Sequence, residues 1–164
     1  IELTGPVASK EAVKRLNEVM AEGMEVVSFV QIPEEKKATG MAIIEAADYL
    51  ALPKDETEEV TKEDIQNFLS QEEILVVKQT KKSEKEVDIK PMIYGSEIKE
   101  DYIYLYLATG SEQNLKPDLV METFLKYIGQ EDAPLFYNRL DVYARDEAGK
   151  LVPLEALGTP IVCS

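Results

Sequence analysis

The chain contains no histidine, no tryptophan and one cysteine, and these absences exclude whole classes of chemistry. Without imidazole it has no histidine general base, and Cys163 alone forms no intrachain disulfide. Cys/His metal ligation is excluded for this chain, as is an iron–sulfur cluster, which needs several thiolates. Long apolar runs are also missing. The longest uncharged apolar stretches, such as Met41 to Ile44 and Tyr102 to Ala108, fall far short of the roughly 20 residues of a membrane-spanning helix. No membrane association is expected, and the unpaired thiol suits a reducing compartment, so the expected location is the cytoplasm.

Positive charge is scarce too. The 32 acidic residues against 18 basic give a net charge of -14, which repels polyphosphate over most of the surface and disfavours general nucleic-acid binding. The exception is local: Lys78, Lys81, Lys82, Lys85 and Lys90 fall within one short stretch, whereas Asp55 to Asp64 is strongly acidic.

What is present is enough for one core. With 164 residues and 45% hydrophobic content, the expectation is a single domain, divisible at most into two subdomains, 1–53 and 54–164. There is no initial Met, and Ile1-Glu2-Leu3-Thr4 reads as the end of a strand, so a fragment lacking an upstream portion is expected.

Ser9 is placed to cap a helix with apolar Ala12, Val13, Leu16, Val19 and Met20, and Gly23 supplies a left-handed stop. Met24 to Ile32 is β-branched and aromatic and reads as a strand ended by Pro33, giving a β-α-β opening. Met41 to Ala47 has helical composition, and Tyr49 to Leu52 reads as a short strand. Thr61 and Asp64 occupy the ends of a capping box ahead of a helix burying Ile65, Phe68 and Leu69.

From Ile74 the period becomes two. Leu75, Val77 and Gln79, then Val87, Ile89, Pro91 and Ile93, then Ile103, Leu105 and Leu107 each line one strand face, predicting a three-stranded meander with the lysines at its first tip. Pro117 starts a further helix with Leu119, Val120, Phe124, Tyr127 and Ile128 on its apolar face, ended by Gly129. Leu135 to Ala144 returns as a strand, and Asp146 to Lys150 turns into Leu151 to Leu157. The expected fold class is α+β: a mainly antiparallel sheet with helices packed on one face, following α/β-plait, ferredoxin-like logic.

Four segments occur together in order: Ile1-Glu2-Leu3-Thr4, Met41-Ala42-Ile43-Ile44-Glu45-Ala46-Ala47-Asp48-Tyr49, Lys81-Lys82-Ser83-Glu84-Lys85-Glu86-Val87-Asp88-Ile89-Lys90-Pro91 and Gly110-Ser111-Glu112-Gln113-Asn114-Leu115-Lys116-Pro117-Asp118. In order and spacing, over nearly the whole chain, they resemble the bacterial family of radical SAM-linked proteins, the DUF2344 domain. The resemblance implies an accessory role beside, or fused to, a radical SAM enzyme, with no established chemistry of its own. Any iron–sulfur cluster and SAM would then sit on that partner. Family members also carry an upstream portion rich in basic, aromatic and histidine residues, which is not in this chain.

Two segments are candidate binding sites. In the first, Gly110, Ser111, Asn114 and Lys116 precede a helix N-terminus, where free N–H groups attract phosphate or carboxylate; an ordinary strand-to-helix loop explains the same residues. In the second, Lys81, Lys82 and Lys85 at a hairpin tip, with Asp88 and Lys90 on the following strand, would meet RNA phosphates or an acidic partner. Lysines guarding a sheet edge are the alternative. Tyr102, Tyr104 and Tyr106 share one strand face and would stack bases, or simply pack. Arg139 and Asp141, with Tyr137 and Tyr143, read as a cross-strand polar network more than a catalytic pair. No pair of carboxylates is marked out for acid–base work. The chain alone therefore reads as a noncatalytic accessory domain docking a partner or substrate. The alternative is an RNA-binding module presenting a modification substrate; a small-anion enzyme using carboxylates and tyrosines has least support.

Overall fold

A computed structural model describes residues 3–32, 42–53, 60–79, 84–99, 101–111, 113–131 and 133–163. The elements, in chain order, are α1 (Ser9–Asn17), β1 (Ile44–Pro53), α2 (Lys62–Ser70), β2 (Leu75–Gln79), β3 (Glu84–Asp88), β4 (Ile93–Ile98), β5 (Ile103–Ala108), α3 (Pro117–Tyr127), β6 (Leu135–Arg145) and β7 (Leu151–Pro153), with 3-10 turns at Lys90–Met92 and Leu154–Leu157. Five strands form an antiparallel sheet in the order β4-β5-β1-β6-β7, and β2 and β3 form a separate hairpin. No helix among the described residues is long and apolar enough to cross a membrane.

The strand at the centre is the one that composition misassigns. Ile44–Pro53 is one continuous strand, where helical composition predicted a helix over Met41 to Ala47 and a short strand after it. Pairing along β1 with β5 on one side and β6 on the other satisfies its backbone groups. Alanine's preference for helix, well under 1 kcal/mol per residue, does not compete with that. Ala46, Ala47 and Ala51 are fully buried. Register shifts at Ile44/Ala46 and Asp48/Tyr49 against β6, and at Ile93/Gly95 between β4 and β5, curl the sheet.

One sheet face carries the core. Ile103, Leu105 and Leu107 of β5 alternate toward Phe68 of α2 and Phe124 of α3, whose rings meet at 5.3 Å, tilted by 60°. Each such fully buried side chain contributes about 1.5–3 kcal/mol relative to exposure. The capping box forms as predicted: the Thr61 side chain accepts from the Asp64 amide while the Asp64 carboxylate accepts from the Thr61 amide.

Three further expectations are corrected. The N-cap of α1 is Ala8, not Ser9; the Ser9 hydroxyl accepts instead from the Ile161 amide at 2.7 Å, tying α1 to the C-terminal segment. Met24 to Ile32 is not a strand, so no β-α-β opening forms among the described residues. It meets the C-terminal segment at the Gln31–Thr159 bridge, beside which the Val30 side chain packs on Gly158, and without a neighbouring strand Met24 and Val27 are left 65% and 82% exposed. The meander is instead two hairpins, because the Lys90–Met92 turn, with Pro91 inside it, breaks the run from Val87 to Ile93. At the start of β2 the buried residues are Val76 and the preceding Ile74, while Leu75 and Val77 are exposed. The strand over Leu135 to Ala144 and the Asp146 to Lys150 turn form where predicted.

Candidate functional site: a tyrosine face over a buried aspartate

The residues singled out in the sequence separate in space and in role. Lys81 and Lys82 lie outside the described residues. Lys85 is exposed in β3, opposite Lys78. Asp88 closes the base of the hairpin, its carboxylate accepting from the Ile74 and Lys90 amides at 2.8 and 3.0 Å. The Lys90 ammonium donates to the Gln71 carbonyl. These bonds give Asp88 and Lys90 a part in joining the hairpin to the end of α2.

Gly110 packs against the backbone of β1: a Cβ there would stand 2.4 Å from the Ile44 carbonyl oxygen. Two residues before it, the Ala108 carbonyl accepts from the amide of fully buried Leu115, closing the loop. Ser111, Asn114 and Lys116 are exposed. Asp118 turns its carboxylate onto the Leu119 amide at 2.8 Å, placing a negative charge at the start of α3. Asn114 needs no left-handed backbone, since no described non-glycine residue has a positive φ.

The most organised polar cluster is on the sheet face opposite the core, and it centres on a residue that sequence reasoning missed. Asp48, in the middle of β1, is 5% exposed. Its Oδ2 accepts from the Tyr104 and Tyr143 hydroxyls at 3.0 and 2.9 Å, and its Oδ1 accepts from the Asp141 amide at 2.8 Å. Register explains the convergence: Asp48 lies opposite Tyr106 of β5 and Asp141 of β6. Tyr104 and Tyr106 alternate with the core residues of β5, as their spacing predicted, and so face away from the helices.

Around Asp48 the rings form a row. Tyr94 meets Tyr106 at 5.6 Å and 67°, and Tyr106 meets Tyr143 at 5.0 Å and 69°, both edge to face. Burial first, then the Asp48 hydrogen bond and charge, push Tyr104 up to about 12 and raise Tyr143 further; burial and then the Asp48 charge raise Tyr106. All three stay neutral phenols at physiological pH, and Tyr104 and Tyr143 keep their hydrogen bonds to Asp48. At the rim Glu45 pairs with Arg145 at 2.8 Å and Glu97 with Lys99.

The expected network of Arg139 with Asp141 is divided by the register shift. Asp141 lies opposite Asp48, whereas Arg139 lies opposite Tyr49, the neighbour that faces the core side. The polar network exists, but Asp48 and not Arg139 is its centre. The one sequence signal for it was an acid directly after two alanines, Ala46-Ala47-Asp48, which reads equally well as the polar stripe of a helix.

A concavity of about 500 Å³ opens elsewhere, where β1 ends and α2 begins, among Ala51, Val60, Ile98, Tyr102, Met121 and Leu125. Lys62 and Lys99 also line it. Of the residues singled out in the sequence, Tyr102 lines it, just before β5 and apart from Tyr104 and Tyr106, whereas the lysines of the hairpin and the Gly110 to Lys116 loop do not. Among the described residues, no group of three or more His, Cys, Asp or Glu is arranged to hold a metal ion.

Comparison with known families identifies the chain. It belongs to the family described as an uncharacterized protein conserved in bacteria, DUF2344, whose profile matches residues 1–117. That span runs from the first residue to the start of α3 and contains β1, β4 and β5, hence Asp48, Tyr94, Tyr104 and Tyr106; Asp141 and Tyr143 lie beyond it. No curated protein matches the chain, and no solved structure does.

Proposed function

We propose that this chain is a noncatalytic docking domain working in the cytoplasm beside, or fused to, a radical SAM enzyme, and that it holds a partner or substrate on the open face of its sheet. The observation that carries the reading is the tyrosine face itself: Tyr94, Tyr104, Tyr106 and Tyr143 are partly exposed across three strands over the buried, fully hydrogen-bonded Asp48. Rigid aromatic surface of this kind supplies contact area at low entropic cost. On the same strand as Tyr143, Phe136 and Leu140 are 61% and 51% exposed, which extends the apolar contact. The radical SAM association rests on the family resemblance, and the iron–sulfur cluster and SAM of such a system belong to the partner.

We also infer that residues 44–145 form an α/β-plait. Supporting this are the succession β1-α2-β4-β5-α3-β6 and the spatial order β4-β5-β1-β6, with the β2–β3 hairpin inserted after α2 and β7 added at the edge. That fold sharpens a second reading. In plait-type RNA-binding modules, aromatic residues on the open face stack bases, and Tyr104 and Tyr106 occupy the corresponding third strand. Lys81, Lys82, Lys85 and Lys116 would then contact phosphate.

A pull-down with the full-length protein across a salt series separates the two. Docking predicts recovery of a radical SAM enzyme, reduced by Tyr94→Ser combined with Leu140→Ser and largely insensitive to salt. RNA binding predicts recovery of RNA that falls steeply as salt rises. Recovery of the enzyme unchanged by the double substitution defeats the docking face.

A further inference from the structure

Resting on the docking reading, we infer that the tyrosine face is a receptor for arginine side chains carried on an extended segment of the partner protein. Hydrogen-bond polarity is the first ground. Tyr104 and Tyr143 spend their only O–H donors on Asp48, so toward an incoming ligand their oxygens are acceptors only. A group made of donors satisfies them, whereas phosphate, made of acceptors, does not.

Charge is the second ground. Four carboxylates belong to this face and its rim, Glu45, Asp48, Glu97 and Asp141, while the nearby cations Arg145 and Lys99 are already paired with Glu45 and Glu97. Asp48 is held beneath the phenols with no described cation among its hydrogen-bond partners, and the low-dielectric surroundings of a buried carboxylate sharpen its attraction for an external cation. The tyrosine rings add the negative faces of their π systems.

Shape is the third. The edge-to-face row Tyr94–Tyr106–Tyr143 crosses β4, β5 and β6. It offers flat surface in steps, which suits a planar guanidinium that stacks and is weakly hydrated better than a compact, strongly hydrated ammonium. A basic extended segment crossing the strands would place successive arginines along the row.

The test uses the full chain and three peptide probes of one sequence, bearing arginine, lysine or citrulline at alternate positions, with binding followed by NMR of the tyrosine rings. Citrulline keeps the shape and removes the charge. The arginine peptide is expected to shift Tyr94, Tyr104, Tyr106 and Tyr143 and to bind about tenfold more tightly than the citrulline peptide, with lysine between them. Asp48→Asn should weaken arginine binding about tenfold. Tyr143→Phe, which keeps the ring, should weaken it less. Tyr94→Leu, at a position 43% exposed, should weaken it in a chain that folds normally.

The inference is overturned if the arginine and citrulline peptides bind alike, if shifts spread over the acidic surface and ignore Tyr94→Leu, or if oligouridylate takes the face in preference to arginine. Should the probes fail while substitutions on the face still abolish partner recovery, docking stands and only the arginine chemistry falls.

Discussion

Replacing Asp48 with alanine removes the acceptor through which β5 and β6 are both hydrogen-bonded to a β1 side chain. The carboxylate takes two phenolic hydrogen bonds and one amide hydrogen bond, at 3.0, 2.9 and 2.8 Å, at a residue 5% exposed. Bonds to an ionised acceptor contribute about 1.5–3 kcal/mol each, but the three do not simply add. Tyr104 and Tyr143 are only partly buried and their hydroxyls recover water, and the desolvation of Asp48 disappears with it. The expected net loss is therefore about 2–4 kcal/mol, which for a chain of this size lowers Tm by on the order of 10 °C. Urea unfolding followed by circular dichroism measures it, and Tyr104→Phe in the same background supplies the coupling. A loss below about 0.5 kcal/mol, or a gain, would refute the reasoning: the cost of burying the carboxylate would then outweigh its bonds.

Gly110→Ala is expected to cost about 1–3 kcal/mol, because the new Cβ would meet the Ile44 carbonyl oxygen at 2.4 Å; thermal unfolding without any ligand reads this directly, and an unchanged Tm would mean the loop yields freely. High pH is expected to destabilise the fold. Tyrosine ionises near 10.0 when unperturbed, but Tyr104 in the fold only near about 12, and Tyr143 and Tyr106 are raised too. The folded chain thus holds protons that the unfolded chain has released, so their stabilisation is intact below about pH 10 and is lost as pH climbs through 10 to 12. Absorbance of tyrosinate alongside urea midpoints checks the window, and a midpoint constant across it contradicts the assignment. In Asp48→Asn the Tyr104 and Tyr143 titrations should move to lower pH, since that substitution removes the charge but not the burial.

The parts of the fold that local patterns revealed are those where local and tertiary preferences agree. The Thr61 and Asp64 capping box, the alternation along β5, Pro117 at the start of α3 and the long β6 could be read from spacing alone. Misreadings fall where tertiary pairing overrides composition. Ala46 and Ala47 look helical, yet β1 is strand because β5 and β6 flank it. Met24 to Ile32 looks like strand, yet no neighbouring strand flanks it among the described residues: the Asn17 side chain holds the Val26 backbone, and Gln31 bridges to Thr159. The Lys90–Met92 turn was signalled by Pro91, but the β-branched residues around it concealed the break.

The candidate site was harder to read because it depends on strands far apart in the chain. Tyr104 and Tyr106 were legible as a shared face, but nothing local says that Asp48 and Tyr143, 95 residues apart, are hydrogen-bonded. That contact changes what the tyrosines can bind. Alone on a sheet, they are a neutral stacking surface as suited to a base as to a side chain. With their hydroxyls turned inward onto a buried carboxylate, they present π faces and acceptor oxygens above a negative charge, in a chain of net charge -14. Phosphate brought to this face meets repulsion and no donor from either of those hydroxyls, whereas a guanidinium meets both attraction and acceptors. Where the lysines of the hairpin point to nucleic acid by charge alone, the geometry around Asp48 weights the open face toward a cationic protein segment.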